Sequence, residues 1–193
     1  MTTNPEGPPL DVERILETLN RHKVDFLVVG GTAANAYGAI RTTKDFDCMA
    51  MRSDENLARL GDAMKELHAR LRVGGLTDAE AQQLPVRLDA KALKAMEIST
   101  WRTDAGDFDV LAHMPNRRGQ RLGYEDLVSR AVTIRFANSQ VQVAALEDII
   151  ASKEWADRPK DHEALPELHD INSRRGSDPP TPSESLTGCA GAP

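Results

Sequence analysis

Cysteine is scarce in this chain: only Cys48 and Cys189 occur among 193 residues. Cys189 lies in a stretch that reads as unstructured, which excludes a disulfide framework and favours a reducing, cytoplasmic setting. Aromatic residues make up 4% of the chain, so the core has to be built from Leu, Val, Ile and Ala. No apolar run approaches the ~20 residues of a membrane span. The opening, MTTNPEGPPL, lacks the basic start and apolar stretch of a signal peptide. Positive charge is in deficit as well. The formal net charge of −6 excludes a broadly basic, nucleic-acid-coating surface but leaves room for a local patch. Arg117, Arg118 and Arg121, with Arg130 and Arg135 further on, are the candidates for one; a solvated loop is the plainer reading. CxxC and HExxH motifs are missing, and the histidines show no metal-ligand spacing. His113 reads as a strand-end residue.

The length suits one domain with a real core. Residues 1–9 read as a flexible leader, 10–173 as the folded domain and 174–193 as a disordered tail. That tail is rich in Pro, Ser, Gly and Thr and buries too little to offset ordering entropy. Within the domain, Asp11 is placed to cap a helix over DVERILETLNRHK, and DFLVVG reads as a buried strand. TAANAYGA suggests a short helix and residues 45–51 a second strand. Ser53 is placed to cap a long helix reaching Leu71. Short helices are expected from about Thr77 and over LDAKALKAME. ISTWRT and DFDVLAHM form a hairpin around Asp-Ala-Gly. GYEDLVSRA reads as helical. VTIRF and VQVAA form a strand pair around Ala137-Asn138-Ser139. LEDIIASKEWA and RPKDHEALPELHDI are helices, with Pro166 placed to bend or divide the second.

The chemistry concentrates in VVGGTAANAYGAIRTTKDFDCM. Side chains alternate along a strand, so Asp45 and Asp47 share a face; so do Asp107 and Asp109 on the later strand. If the strands are neighbours, up to four carboxylates converge, which is costly without a cation. Oxygen-only ligation favours Mg²⁺ or Mn²⁺ combined with substrate phosphates. An isolated Asp-x-Asp is more often a pair of exposed strand positions. This one follows Gly30 and Gly31, which let backbone N–H groups approach phosphate oxygens closely. Thr32 offers a hydroxyl beside them.

These residues resemble the signature of the nucleotidyltransferase superfamily: Gly-Gly opening a helix, an Asp-x-Asp strand, and a third Asp on a later strand. The closest likeness is to the minimal AbiEii-type nucleotidyltransferases, including MenT toxins of toxin–antitoxin systems. LEDIIASKEWADRPKDHEAL looks like the C-terminal helical signature of that group. The resemblance covers roughly residues 11–172. It implies an α+β nucleotidyltransferase fold, a small mixed twisted sheet flanked by helices with a helical C-terminal part. It implies metal ligation by Asp45, Asp47 and Asp109, with Asp107 the rival third carboxylate. Gly30, Gly31, Thr32, Thr43, Lys153 and Asp161 are implied to serve the nucleotide, and Asp45, Asp47, Asp109 and Lys153 catalysis. Arg41 flanks the strand as a further candidate. Arg158 and Lys160 are open between nucleotide contact and simple solvation of a helix start. The implied activity is NMP transfer from NTP to an acceptor hydroxyl, with tRNA as acceptor and an antitoxin as protein partner. Transfer to a protein or small molecule, or a silent nucleotide-binding domain, are the alternatives.

Overall fold

The computed structural model describes residues 7–136 and 139–175. The leader residues 1–6 and the tail from 176 onward lie outside the described residues, as do Ala137 and Asn138 of the expected turn. Helix α1 (Val12–Arg21) starts at Asp11, whose side chain accepts from the Arg14 N–H. Strand β1 (Phe26–Val28) leads directly into α2 (Gly30–Ala36), which begins at the glycines rather than after them. Strand β2 (Asp45–Ala50) follows. Helix α3 (Asp54–Glu66) is capped by the Ser53 hydroxyl.

Helix α3 was expected to reach Leu71 but ends at Glu66. His68 adopts a left-handed φ of 53°, which breaks the helical path. Arg70 and Leu71 then form β3 (Arg70–Leu71) on the sheet edge. Pairing with a neighbouring strand overrides helical propensity there. The short helices α4 (Asp78–Ala81) and α5 (Ala90–Ala95) connect to β4 (Ile98–Thr103) and β5 (Gly106–Leu111). The β4–β5 hairpin has the expected register, but β5 stops three residues before Met114. Met114 instead opens β6 (Met114–Pro115), paired with β7 (Arg121–Leu122). Helix α6 (Tyr124–Val128), β8 (Val132–Phe136) and β9 (Ser139–Val143) follow. Strand β9 begins two residues earlier than VQVAA, because Ser139 already pairs with Phe136. Helices α7 (Leu146–Ala156) and α8 (Pro159–Arg175) complete the described chain. Pro166 does not divide α8, which runs through it and on to Arg175.

Among the described residues the main sheet has seven strands in the order β3-β4-β5-β2-β1-β9-β8. It is mixed: β2 runs parallel to β5 and β1 to β9, while the other neighbours are antiparallel. Helices flank it, and the core joins α1 and α3 (Ile15, Leu19, Leu60, Met64) to the strands (Leu27, Phe46, Phe108, Val143), all essentially inaccessible. Asn56 ties α3 to the strand ends. Its amide donates to the Asp25 and Met51 carbonyls, and its carbonyl accepts from the Asp25 N–H. Among the described residues, no helix is long and apolar enough to cross a membrane.

Candidate active site

Two adjacent parallel strands supply the floor of the site. In the β2–β5 register, Asp45 faces Asp107 and Asp47 faces Asp109. Strand alternation turns all four toward one side, while Phe46 and Phe108 meet edge to face on the other, with ring centroids 5.2 Å apart. The four carboxylates then divide. Asp45, Asp47 and Asp109 each offer an oxygen, all within 4.8 Å of one another. Asp107 accepts instead from Arg72 at 2.6 Å and from Arg102 at 3.1 Å. The cross-strand arginine opposite Asp107 in β4 is Arg102, whereas Thr100 stands opposite Asp109. The rivalry between Asp107 and Asp109 thus ends in different surroundings: one carboxylate is neutralised by the protein, the other is left to the cluster.

The close approach of β1 to this floor requires both glycines. Gly30 has φ +62°, and a Cβ there would lie 1.9 Å from the Asp47 carboxylate. A Cβ on Gly31 would lie 2.5 Å from the Thr43 hydroxyl. The Gly31 N–H points to Asp47 at 3.4 Å. Thr43 donates to the backbone carbonyl and the carboxylate of Asp45, at 3.0 and 3.1 Å. Thr32 sits beside the glycines with its hydroxyl engaged by the backbone. It is 8% exposed, its hydroxyl donates to the Asp45 carbonyl at 3.3 Å, and it lies outside the cavity lining.

The opposite wall is cationic. Asp157 takes a left-handed conformation that ends α7, and Pro159 occupies the first position of α8, where its missing N–H has no consequence. This tight reversal brings Lys153 and Arg158 onto Asp161, at 3.1 and 2.6 Å. Asp161 is fully inaccessible. Burial pushes its carboxyl up, but hydrogen bonds from Arg158 and Lys153 outweigh that and hold it below the ordinary range. Asp161 therefore reaches the cavity through the cations it positions, whereas Lys153, Arg158 and Lys160 line it directly.

Between floor and wall lies a cavity of about 640 Å³. Its lining includes Arg41, Thr42 and Lys44, and also the apolar Ile98, Leu111 and Met114 together with His113. Arg117, Arg121 and Arg130 are paired with Glu154, Glu97 and Asp148, and at the cavity Arg41 is paired with Glu163. Sequence reasoning missed Lys44 and the cavity position of His113. Counting alternation past Asp109 along its strand direction points to the latter.

The carboxylates carry the electrostatic signature of a cation site. Burial, then the charges of Asp45 and Asp109, push Asp47 up to about 7. Burial and Asp45 push Asp109 up to about 6, against a hydrogen bond from Thr100 and the charge of Arg72. Asp109 Oδ1 is buried without a hydrogen-bond partner, an arrangement that costs free energy unless something binds it. Three clustered carboxylates with an unpaired buried oxygen fit a hard divalent cation such as Mg²⁺ or Mn²⁺.

Fold and site together define a nucleotidyltransferase: a mixed sheet carrying Asp-x-Asp and a third Asp, with Gly-Gly at the end of the strand beside them. Residues 14–171 match the sequence model of the nucleotidyl transferase AbiEii toxin family of type IV toxin–antitoxin systems. The chain belongs to that family. No curated protein sequence matches it. Among solved structures it is similar to the lincomycin-bound lincosamide antibiotic adenylyltransferase LnuA (TM-score 0.55, 11% identity, 84% of this chain and 99% of that one). It is also similar to the antibiotic-resistance factor ANT(2'')-Ia in solution (TM-score 0.51, 14% identity, 86% and 88%). The complex of ANT(2'')-Ia with adenylyl-2''-tobramycin gives a TM-score of 0.50 at 14% identity, covering 86% and 93%. At these identities the likeness is one of fold.

Proposed function

We propose that this protein transfers the NMP moiety of an NTP to the 3′ hydroxyl of tRNA, blocking translation, and that a cognate antitoxin restrains it in the cytoplasm. The observation that carries the chemistry is the convergence of Asp45, Asp47 and Asp109 beside Gly30 and Gly31 and across from Lys153. Asp45, Asp47 and Asp109 would hold Mg²⁺ or Mn²⁺, which neutralises charge developing on the phosphates. Gly30 and Gly31 admit the triphosphate close to the backbone. Lys153, held by Asp161, offsets the charge of the departing pyrophosphate. The acceptor oxygen attacks the α-phosphorus, a new P–O bond forms, and the bond to the β-phosphate breaks. Asp109 orients the acceptor hydroxyl and receives its proton.

Family membership supports the toxin role, and Lys44 and Lys160 at the cavity supply local positive charge on an otherwise acidic chain. A small-molecule acceptor is the second reading, favoured by the fold shared with antibiotic adenylyltransferases. The test incubates purified protein with Mg²⁺, total tRNA and each α-labelled NTP, with Asp45→Ala as control. Label on tRNA with the wild type alone supports the reading and identifies the base. Label on protein or small molecules but not on tRNA replaces it with the second. Nucleotide binding with no transfer to any acceptor reduces the protein to a binding domain.

A further inference from the structure

The order of strands gives the site two unlike flanks. The Gly30–Gly31 turn lies after β1, on one side of the carboxylates, and β4 and β3 lie on the other. In an in-line displacement the nucleophile enters opposite the leaving pyrophosphate. A triphosphate seated on the turn and Lys153 therefore leaves the acceptor to approach over β4 and β3. Strand spacing puts the β3 backbone about 10 Å from β5.

That flank carries a charge the reaction chemistry does not use. The Arg72 N–H donates to the Thr100 carbonyl at 2.8 Å, which aligns Arg72 in the same cross-sheet row as Thr100, Asp109 and Asp47. Its guanidinium reaches Asp107 at 2.6 Å and is 34% exposed. Arg102 holds the other Asp107 oxygen at 3.1 Å and is 7% exposed. Asp107 therefore has two guanidinium partners. The buried one keeps it compensated if the half-exposed one turns part of its donor fork to a second anion.

We propose that Arg72 binds a phosphodiester of the acceptor strand and so selects a polynucleotide 3′ end over small, cationic acceptors. This rests on the RNA-acceptor reading above. The phosphates of the NTP lie on the far side of the carboxylates, so an anion at Arg72 belongs to the acceptor. An acceptor bearing amines in place of phosphates meets a like charge there.

The experiment uses the full chain, Mg²⁺, labelled NTP and an RNA acceptor-stem oligonucleotide, native or with its 3′-terminal phosphodiester replaced by a neutral methylphosphonate. For the wild type, the neutral linkage raises the KM for RNA about tenfold or more, the loss expected for a charge-assisted contact. Arg72→Gln raises KM for native RNA by a similar factor and shows no further loss on the methylphosphonate, and Arg72→Lys recovers part of the affinity. The KM for NTP stays within about twofold, and the salt dependence of RNA binding becomes shallower by about one counterion. Equal losses by Arg72→Gln on both RNAs, or an unchanged KM for RNA, overturn the proposal while leaving RNA as acceptor. Failure of the wild type to label any RNA overturns both.

Discussion

Asp47→Asn separates what the site costs from what it does. The Asp47 carboxyl, normally at 3.8, is pushed up to about 7 by burial and by Asp45 and Asp109. Between those values the folded state binds more proton than the unfolded state. Stability therefore falls as pH rises from about 4, and the full penalty is present above about 7. Three pH units correspond to a ceiling of about 4 kcal/mol; solvent screening of a partly exposed group brings this to about 2 kcal/mol. Asparagine carries no charge, and its side-chain oxygen can keep the Gly31 contact. In EDTA at pH 8 the variant is expected to melt about 4–8 °C above the wild type, given the usual slope for a chain of this length. At pH 4.5 the difference shrinks toward zero. Circular-dichroism melts at both values read this directly. Adding Mg²⁺ raises the wild-type Tm through linkage and moves the variant far less, while NMP transfer by the variant is lost. A variant that melts at or below the wild type at pH 8, or that shows the same difference at both pH values, refutes the reasoning.

Three other perturbations follow from the geometry. The affinity for Mg²⁺, measured by titration calorimetry, should weaken about tenfold per pH unit from about 7 to about 6, because Asp47 must lose its proton to ligate, and more steeply below about 6, where Asp109 must lose one as well. Asp161→Ala leaves Lys153 and Arg158 without their shared, fully buried partner. It should cost about 1–2 kcal/mol by urea denaturation, since the cations left behind are a half-exposed Arg158 and a largely buried Lys153, and raise the KM for NTP at least as strongly as Lys153→Ala. Gly30→Ala should be more damaging than Gly31→Ala in nucleotide binding. The first combines a left-handed φ with a 1.9 Å approach to Asp47, the second only a 2.5 Å approach to Thr43, which Thr43→Ser can partly relieve by admitting a different rotamer.

The elements that carry the site were legible because their signals are local. Gly-Gly after an apolar run marked the turn, alternation marked the aspartates, and Asp-Arg-Pro-Lys-Asp marked the reversal between α7 and α8. Failures occurred where a distant partner decides the local state. Residues 67–71 continue a helical pattern, yet Leu71 pairs with Trp101 and Arg70 with Arg102, so the edge of the sheet takes them.

The choice between Asp107 and Asp109 shows the same limit at the level of chemistry. Both lie on one face of one strand, two residues apart, each followed by an apolar residue, so no pattern within β5 separates them. What separates them is the next strand. Arg102 faces Asp107 and Thr100 faces Asp109, and Arg72, just after β3, reaches across to complete the neutralisation of the first. A carboxylate already held by two guanidiniums has its charge satisfied and little to gain from a metal ion. A carboxylate with a buried, unpaired oxygen beside Asp45 and Asp47 has an open coordination position and a raised proton affinity. The candidate assignment thus rests on two registers at once: β2–β5 sets Asp109 against Asp47, and β4–β5 sets Arg102 against Asp107 and Thr100 against Asp109.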